Sequence, residues 1–328
     1  MKSRIFQCPA SAGSCVRTLT LSFIAALLPL SLNADDTSKV KSIVMIAGTP
    51  SHGYGAHEHF AGCRLLADVL QAGSTSVKVQ VVKNGWPEDD TILDQADTIV
   101  MYADGGAKHP AVAHMDSLQK QMDRGAGFVC LHYAVEVPAG EVGDKFKDWL
   151  GGYFEVDWSV NPHWIAEFKT MPDHSITRGV EPFATNDEWY FHMRFQDGMK
   201  GITPILSAVP PATTMTRPDG AHSGNPTVRK EVAEGLPQHV AWAYDRPNGG
   251  RSFGFTGGHY HWNWGSPEMQ RLVSNAILWT AKVNVPTTGF PCGPLALERL
   301  KENQDFPIPA KFSEEATVKE FNLTTANR

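Results

Sequence analysis

Cysteine is scarce in this chain of 328 residues. Of the five present, Cys8 and Cys15 fall in an N-terminal segment that reads as a leader. The remaining three, Cys63, Cys130 and Cys292, are odd in number and have no close spacing. That excludes a disulfide framework and a cysteine zinc site, and leaves buried thiols acting as small hydrophobes. An excess of positive charge is also missing. The chain has 29 Lys and Arg against 35 Asp and Glu, a net charge of −6, so no surface for nucleic acid or anionic lipid is expected. Neither the Gly-x-Gly-x-x-Gly pattern nor a phosphate loop occurs, so nucleotide binding has no support. Internal repeats and low-complexity segments are absent as well.

The first 34 residues have the order of a secretory signal. Lys2, Arg4 and Arg17 are basic, Leu19 to Leu32 is an apolar stretch of 14 residues, and Asn33-Ala34 precedes Asp35-Asp36. Fourteen residues fall short of the roughly 20 that span a bilayer, and the pattern fits a cleaved peptide. The expectation is residues 1–34 as signal peptide and an exported product, periplasmic or extracellular, with no membrane attachment after cleavage. Residues 39–283 are expected to form one α/β domain, and 284–328 a tail that is packed on the surface or flexible.

Strand and helix patterns alternate through that domain. Val40 to Ala47, Val77 to Val82, Asp97 to Tyr102 and Gly127 to Leu131 are short apolar runs without polar alternation, the signature of parallel strands buried on both faces. Helical spacing runs from Ala56 to Ala72 and from Pro110 to Arg124. His163 to Phe168, Gly201 to Ala208, His239 to Tyr244 and Arg251 to Thr256 read as further strands, and Pro267 to Lys282 as a closing helix. Residues 209–237, rich in proline, read as a surface excursion. The predicted fold is a mostly parallel, doubly wound sheet.

In such a sheet ligands meet the carboxyl ends of the strands. The first strand leads to His52, with His57 and His59 beyond it. The third leads to Asp104, the central one to His132 and Tyr133, and the last to His259, Tyr260, His261 and Trp262. The break after Leu131, with small Ala134 two places past His132, has the form of a nucleophile elbow with His132 at its apex. His132 and His259 are therefore candidate acid/base groups, with Asp104 beside them. His52, His132 and His259 are candidate ligands for a divalent metal such as zinc, since neutral imidazoles suit that ion. His57 and His59 can share an ion only at a loop-to-helix junction, because residues two apart on a helix point about 200° apart. Glu188, preceding Trp189 and Tyr190, is expected to have a raised pKa and to serve as a general acid. His52, Tyr133, Trp189, Tyr260, His261 and Trp262 are candidates for substrate contact, because tryptophan and tyrosine rings suit sugars. Trp158, Trp164 and Trp264 fall in the same stretches.

These stretches together are informative. GFVCLHYA, WLGGYF, PDHSITRGV, NDEWYF, HVAWAY, GGRSFGFTGGH and ILWTA resemble, in order, the motifs of the ThuA-like (trehalose-utilisation) family. The resemblance runs from about Lys41 to Ala281. It implies the flavodoxin-like, class I glutamine amidotransferase-like three-layer sandwich. It also implies a link to sugar catabolism, in particular to disaccharides oxidised at carbon 3 by a partner sugar dehydrogenase. His132 occupies the elbow position where amidotransferases have their cysteine, His259 that of their triad histidine, and His261 that of their acidic residue. Amidotransferase activity is therefore not expected. Three functions remain open: hydrolysis or elimination of 3-keto-glycosides, carbohydrate binding without catalysis, and a cysteine hydrolase using Cys130.

The export expectation is tested by the intact mass of protein recovered from its native host. The mature chain should begin near Asp35. A mature chain retaining residues 1–30 would refute the signal reading.

Overall fold

Seven strands form the central sheet. In chain order the elements of the first half are β1 (Lys41–Ala47), α1 (His59–Gly73), β2 (Val77–Val82), β3 (Thr98–Tyr102), α2 (Met115–Asp123), β4 (Gly127–Leu131) and α3 (Glu141–Leu150). The short strand β5 (Gly152–Tyr153) and the strands β6 (Trp164–Phe168), β7 (Phe183–Asp187) and β8 (Arg194–Phe195) follow, then β9 (Ile202–Ala208), α4 (Pro226–Ala233), β10 (Gln238–Asp245), β11 (Arg251–Phe255) and α5 (Pro267–Thr280). Two further helices, α6 (Leu297–Leu300) and α7 (Glu314–Phe321), lie beyond. This computed structural model describes residues 39–325, all within one compact unit, and the expected signal peptide lies outside the described residues.

The sheet order is β2-β1-β3-β4-β11-β10-β9. The first five of these strands are mutually parallel, and β10 runs antiparallel to both of its neighbours. The apolar runs divide residue by residue between two cores. Met45, Val100, Val129 and Leu131 face the layer that includes Leu66 of α1 and Ile277 of α5. Val44, Ile99, Phe128 and Cys130 face the layer that includes Leu118 of α2 and Phe146 of α3. Burial on both faces is why no polar alternation is visible in these strands. Three layers result, as expected for the flavodoxin-like class.

Local chemistry sets the helix ends. Ser266 caps α5 ahead of Pro267, and the Asn225 side chain accepts from the Thr227 and Val228 amides ahead of Pro226, each cap satisfying amides that the helix leaves unpaired. The helix expected from Pro110 starts only at Met115, after a 3₁₀ turn over Val112–His114. The strand β6 is not in the central sheet. It pairs with β7 in a separate antiparallel ribbon, with Trp164, Ala166 and Phe168 turned inward. The excursion 209–237 contains α4.

The C-terminal segment is packed rather than loose. Val285, Phe290, Leu297 and Leu300 are buried in the α1–α5 core. The Gln304 side chain accepts from the Gly55 amide at 3.0 Å, and the Asp305 amide donates to Glu58 at 2.7 Å. Residues 304–305 thus brace the loop that enters α1. Among the described residues no helix is long and apolar enough to cross a membrane.

One fully buried histidine makes stability depend on pH. His109 has a ring nitrogen 3.1 Å from the Ala134 carbonyl oxygen and accepts from the Ala111 amide at its other nitrogen. Burial lowers its pKa to about 4, against a smaller upward effect of the Ala134 carbonyl. The unfolded chain takes up this proton near the ordinary value of 6.5 and the folded chain does not. Its contribution is therefore complete above pH 6.5 and is lost as pH falls toward 4, by up to about 3 kcal/mol. Melting temperature should drop across this window more steeply in the natural protein than in His109→Asn, and equal slopes would refute the assignment.

Candidate active site

Three loops at the carboxyl ends of β1, β4 and β11 build the site. The loop after β4 turns at once: His132 has φ +54, in the left-handed region, with Ala134 and Val135 in the 3₁₀ turn that follows. His57, just before α1, has φ +50, and His52 has φ +64. Non-glycine residues adopt this conformation at a cost of order 1–3 kcal/mol, and such residues cluster at functional sites. The β1 and β11 loops are joined by backbone pairing. The His57 amide donates to the His259 carbonyl at 3.0 Å, and the His261 amide to the Gly55 carbonyl at 2.9 Å.

The β6–β7 ribbon supplies the anchor. Asp187 ends β7, is fully buried, and accepts from the amides of Gly258 (2.7 Å), His259 (3.0 Å) and Tyr260 (3.3 Å) and from the Asn263 side chain (2.9 Å). Gly258 lies at φ +105, where a side chain would be strained. Its carbonyl also accepts from the Tyr102 hydroxyl. The next residue, Glu188, is carried into the same space.

The result is a group of four: His57, His132, Glu188 and His259, whose donor atoms lie within 4.8 Å of one another. His57 Nε2 is 3.0 Å from His132 Nε2 and 3.0 Å from His259 Nδ1. Glu188 Oε2 is 3.1 Å from His259 Nδ1 and 3.5 Å from His132 Nε2. The Tyr190 hydroxyl donates to Glu188 Oε2 at 3.2 Å and is 3.2 Å from His132 Nε2.

The outer contacts determine the tautomers. His132 Nδ1 is 2.8 Å from the Thr256 carbonyl, which only accepts, so Nδ1 carries the proton. His57 Nδ1 is 2.8 Å from Asp104 Oδ1, so there too the proton sits on Nδ1. When both rings are neutral, they present bare Nε2 lone pairs to each other at 3.0 Å. That contact is repulsive unless a cation lies between them. Burial is the main cause that holds His57 well below the ordinary imidazole value; Asp104 opposes it and the neighbouring histidines reinforce it. A proton is thus disfavoured at His57. Three imidazole nitrogens and one carboxylate, with Asp104 and a backbone carbonyl behind two of the rings, fit a divalent metal ion.

Asp104 and Glu188 are held ionised. Burial alone would raise each carboxyl, but hydrogen bonding from His57 and the nearby His59 lower Asp104, and His132 and His259 lower Glu188. The raised pKa expected for Glu188 is therefore corrected. Its neighbours are imidazoles, which outweigh the aromatics beside it in sequence, and the carboxylate is suited to ligation rather than to acid catalysis.

His52 does not join the group of four. It is exposed, stacks on His57 with ring centroids 3.5 Å apart, and approaches Asp104 on the outer side. His57 stands in its place, at the loop-to-helix junction. Tyr133 and Tyr260 border the site, within 5.9 Å of His57 and 4.9 Å of His259 between ring centroids. Trp189, His261 and Trp262 do not line it. Trp189 is fully buried against Phe168 and Phe255, His261 is fully buried, and Trp262 packs on Tyr54 and Phe312. Trp164 and Trp264 are core residues as well. Cys130 is buried in the core on the α2–α3 side, and burial pushes its thiol well above the ordinary value. It has neither the access nor the acidity of a nucleophile, which removes the cysteine-hydrolase reading.

Two further side chains, not apparent as site residues from the sequence, border the group. His163 lies with its ring 4.8 Å from that of His259 and its Nε2 3.9 Å from Glu188 Oε1. Tyr190 sits beneath His132. A polar pocket of about 260 Å³, lined by Asn161, His163, Glu188, Thr213 and Arg217 among others, opens beside the group.

A parallel α/β sheet with histidines and a carboxylate gathered at its carboxyl edge defines the general class. The chain belongs to the ThuA family, described as trehalose utilisation, whose family model matches residues 44–280. Among solved structures it is similar to a ThuA-like protein from Bacteroides uniformis ATCC 8492, with 15% identity over 74% of this chain and 91% of that one, TM-score 0.49. It is also similar to a ThuA-like protein from Parabacteroides merdae ATCC 43184, with 14% identity over 81% and 99% of the two chains, TM-score 0.49. No curated protein matches the chain.

If Asp187 is the anchor, Asp187→Ala leaves several backbone amides without their acceptor. The expected loss is about 3–5 kcal/mol in urea unfolding. A loss below about 1 kcal/mol would show that the loop holds itself.

Proposed function

We propose that this protein is a metal-assisted hydrolase or lyase acting on an oxidised sugar derivative, with 3-keto-glycosides as the substrate class. It would work after export, in the periplasm or outside the cell, on the product of a sugar dehydrogenase. The observation that carries the metal reading is the convergence of His57, His132, His259 and Glu188, with His57 Nε2 and His132 Nε2 3.0 Å apart. The family's link to carbohydrate utilisation supports the substrate class.

His57, His132, Glu188 and His259 would hold the ion. When bound, it supplies a Lewis acid that polarises a ketone oxygen or acidifies water. The chain's own residues account for the proton movements. A sugar with a ketone at carbon 3 has an acidic proton on carbon 2. His163, whose pKa burial lowers, is neutral at pH 7 and lines the pocket beside Glu188, so it serves as the base. The carbon 2 electron pair forms the carbon 1–carbon 2 double bond as the bond from carbon 1 to the leaving oxygen breaks. The leaving alkoxide takes a proton from the hydroxyl of Tyr133, which burial pushes up to about 12 and so keeps protonated. Water then adds to that double bond, its hydroxyl to carbon 1, as Tyr133 takes back a proton from the water and protonated His163 returns its proton to carbon 2, which completes a net hydrolysis with no change of oxidation state. Arg217 and Asn161, joined to each other at 2.8 Å, present charge and amide to the sugar hydroxyls.

Elemental analysis and metal titration test the centre, and turnover of a 3-keto-glycoside tests the chemistry. His57→Ala should lose the ion and reduce turnover by about 10²–10⁴. His163→Ala should keep the ion and lose a similar factor. Cys130→Ala should keep both and lose about 1 kcal/mol of stability. Undiminished metal binding by His57→Ala would overturn the centre. Sugar binding with no turnover by the metal-loaded natural protein would reduce the function to carbohydrate binding.

A further inference from the structure

A second cavity is lined by Asp104, the partner of His57 Nδ1, whereas the Arg217 pocket is lined by Glu188, grouped with the residues that meet His57 Nε2 at the other edge of the ring. It measures about 420 Å³ and occupies the crevice between the loops that follow β1, β2 and β3, within the ~300–1,000 Å³ of small-ligand sites. The sheet order reverses between β1 and β3, and such a switch point is where open α/β sheets leave room for a ligand.

Its walls are built rather than incidental. The Trp86 and His114 rings are parallel, with an interplanar angle of 2° and centroids 4.9 Å apart, and the Trp86 indole donates to Asp90 at 3.4 Å. The Gly85 amide is tied to the Ala47 carbonyl at 2.8 Å, which holds the turn bearing Trp86 to the end of β1. Asn84 enters that turn at φ +67. Lys108 and Asp104 complete the lining. Asp104 Oδ1 meets His57 at 2.8 Å, so a carboxylate that lines the crevice also holds one member of the group of four.

We infer that this crevice is a sugar subsite that takes the leaving hexose of the substrate, while the oxidised ring lies in the pocket beside His163 and Glu188. This rests on the function proposed above. A carboxylate and an ammonium on one small cavity disfavour a ligand of either charge. A neutral polyol satisfies both, because its hydroxyls donate to Asp104 and accept from Lys108 and Asn84. The apolar face of a pyranose ring matches an immobilised indole. The base His163 is on the other side of His57, so the ring that loses the proton belongs there and its partner ring belongs in the crevice.

Calorimetric titration of the zinc-incubated protein with trehalose and with glucose tests the assignment. The natural protein should bind trehalose more tightly than glucose by at least about tenfold. Trp86→Ala should abolish that difference. Ala107→Trp should do the same by filling the crevice; Ala107 is exposed and lines the cavity, so the substitution leaves the core intact. Zinc binding should be unchanged in both variants. Undiminished trehalose affinity in Ala107→Trp would overturn the inference, as would equal affinity for the two sugars or binding of neither by the natural protein. The zinc titration is read independently, so absence of zinc binding counts against the metal centre and not against the crevice.

Discussion

The site depends on one buried carboxylate. Asp187 has no solvent exposure and is surrounded by donors from a loop more than seventy residues away, Gly258 to Asn263. A carboxyl group in that position is tolerated because backbone amides and an Asn side chain take the place of water. This arrangement also explains why the β6–β7 ribbon exists outside the central sheet. Asp187 and Glu188 are consecutive, so anchoring the first to the β11 loop delivers the second to His259 and His132. The ribbon, the sheet edge and the imidazoles are thereby fixed in one geometry.

A second brace acts from the other end of the chain. Glu58 stands between His57 and His59 and receives the amides of Gly55 and Asp305, while Lys83 pairs with Asp305 at 3.0 Å. The segment supplying Asp305 lies beyond the residues matched to the family, yet it contributes Leu297 and Leu300 to the core. The loop bearing His57 is therefore held from β11 on one side and from the C-terminal segment on the other. A histidine held in a left-handed conformation needs such support on both flanks.

The fold was legible because buried parallel strands leave continuous apolar runs, as in KSIVMIA and GFVCL. The bend at His132 was legible from the small residues two places to either side of it, Cys130 and Ala134, the spacing of a strand-to-helix elbow. The site was less so. His57 and His59 are two residues apart, and helical geometry sets them on opposite faces unless the helix starts late, which it does, at His59. His163 stands at the start of a strand in a ribbon whose partner, Phe183–Asp187, carries no strong pattern. The sequence neighbours of Glu188 are aromatic, but its spatial neighbours are imidazoles, and only the latter decide its charge. Trp189 and Trp262 appear in sequence as sugar platforms because they flank site residues. Chain proximity of that kind does not distinguish the face turned to the cleft from the face turned to the core.

His52, His57 and His132 all hold positive φ. Glycine adopts that backbone freely, so glycine at these three positions would relax the chain locally while deleting imidazoles from the cleft. The backbone preference and the side-chain requirement therefore pull apart at these positions, in two neighbouring loops. Selection of variants by heat resistance alone would drift toward a sturdier molecule with an empty cleft.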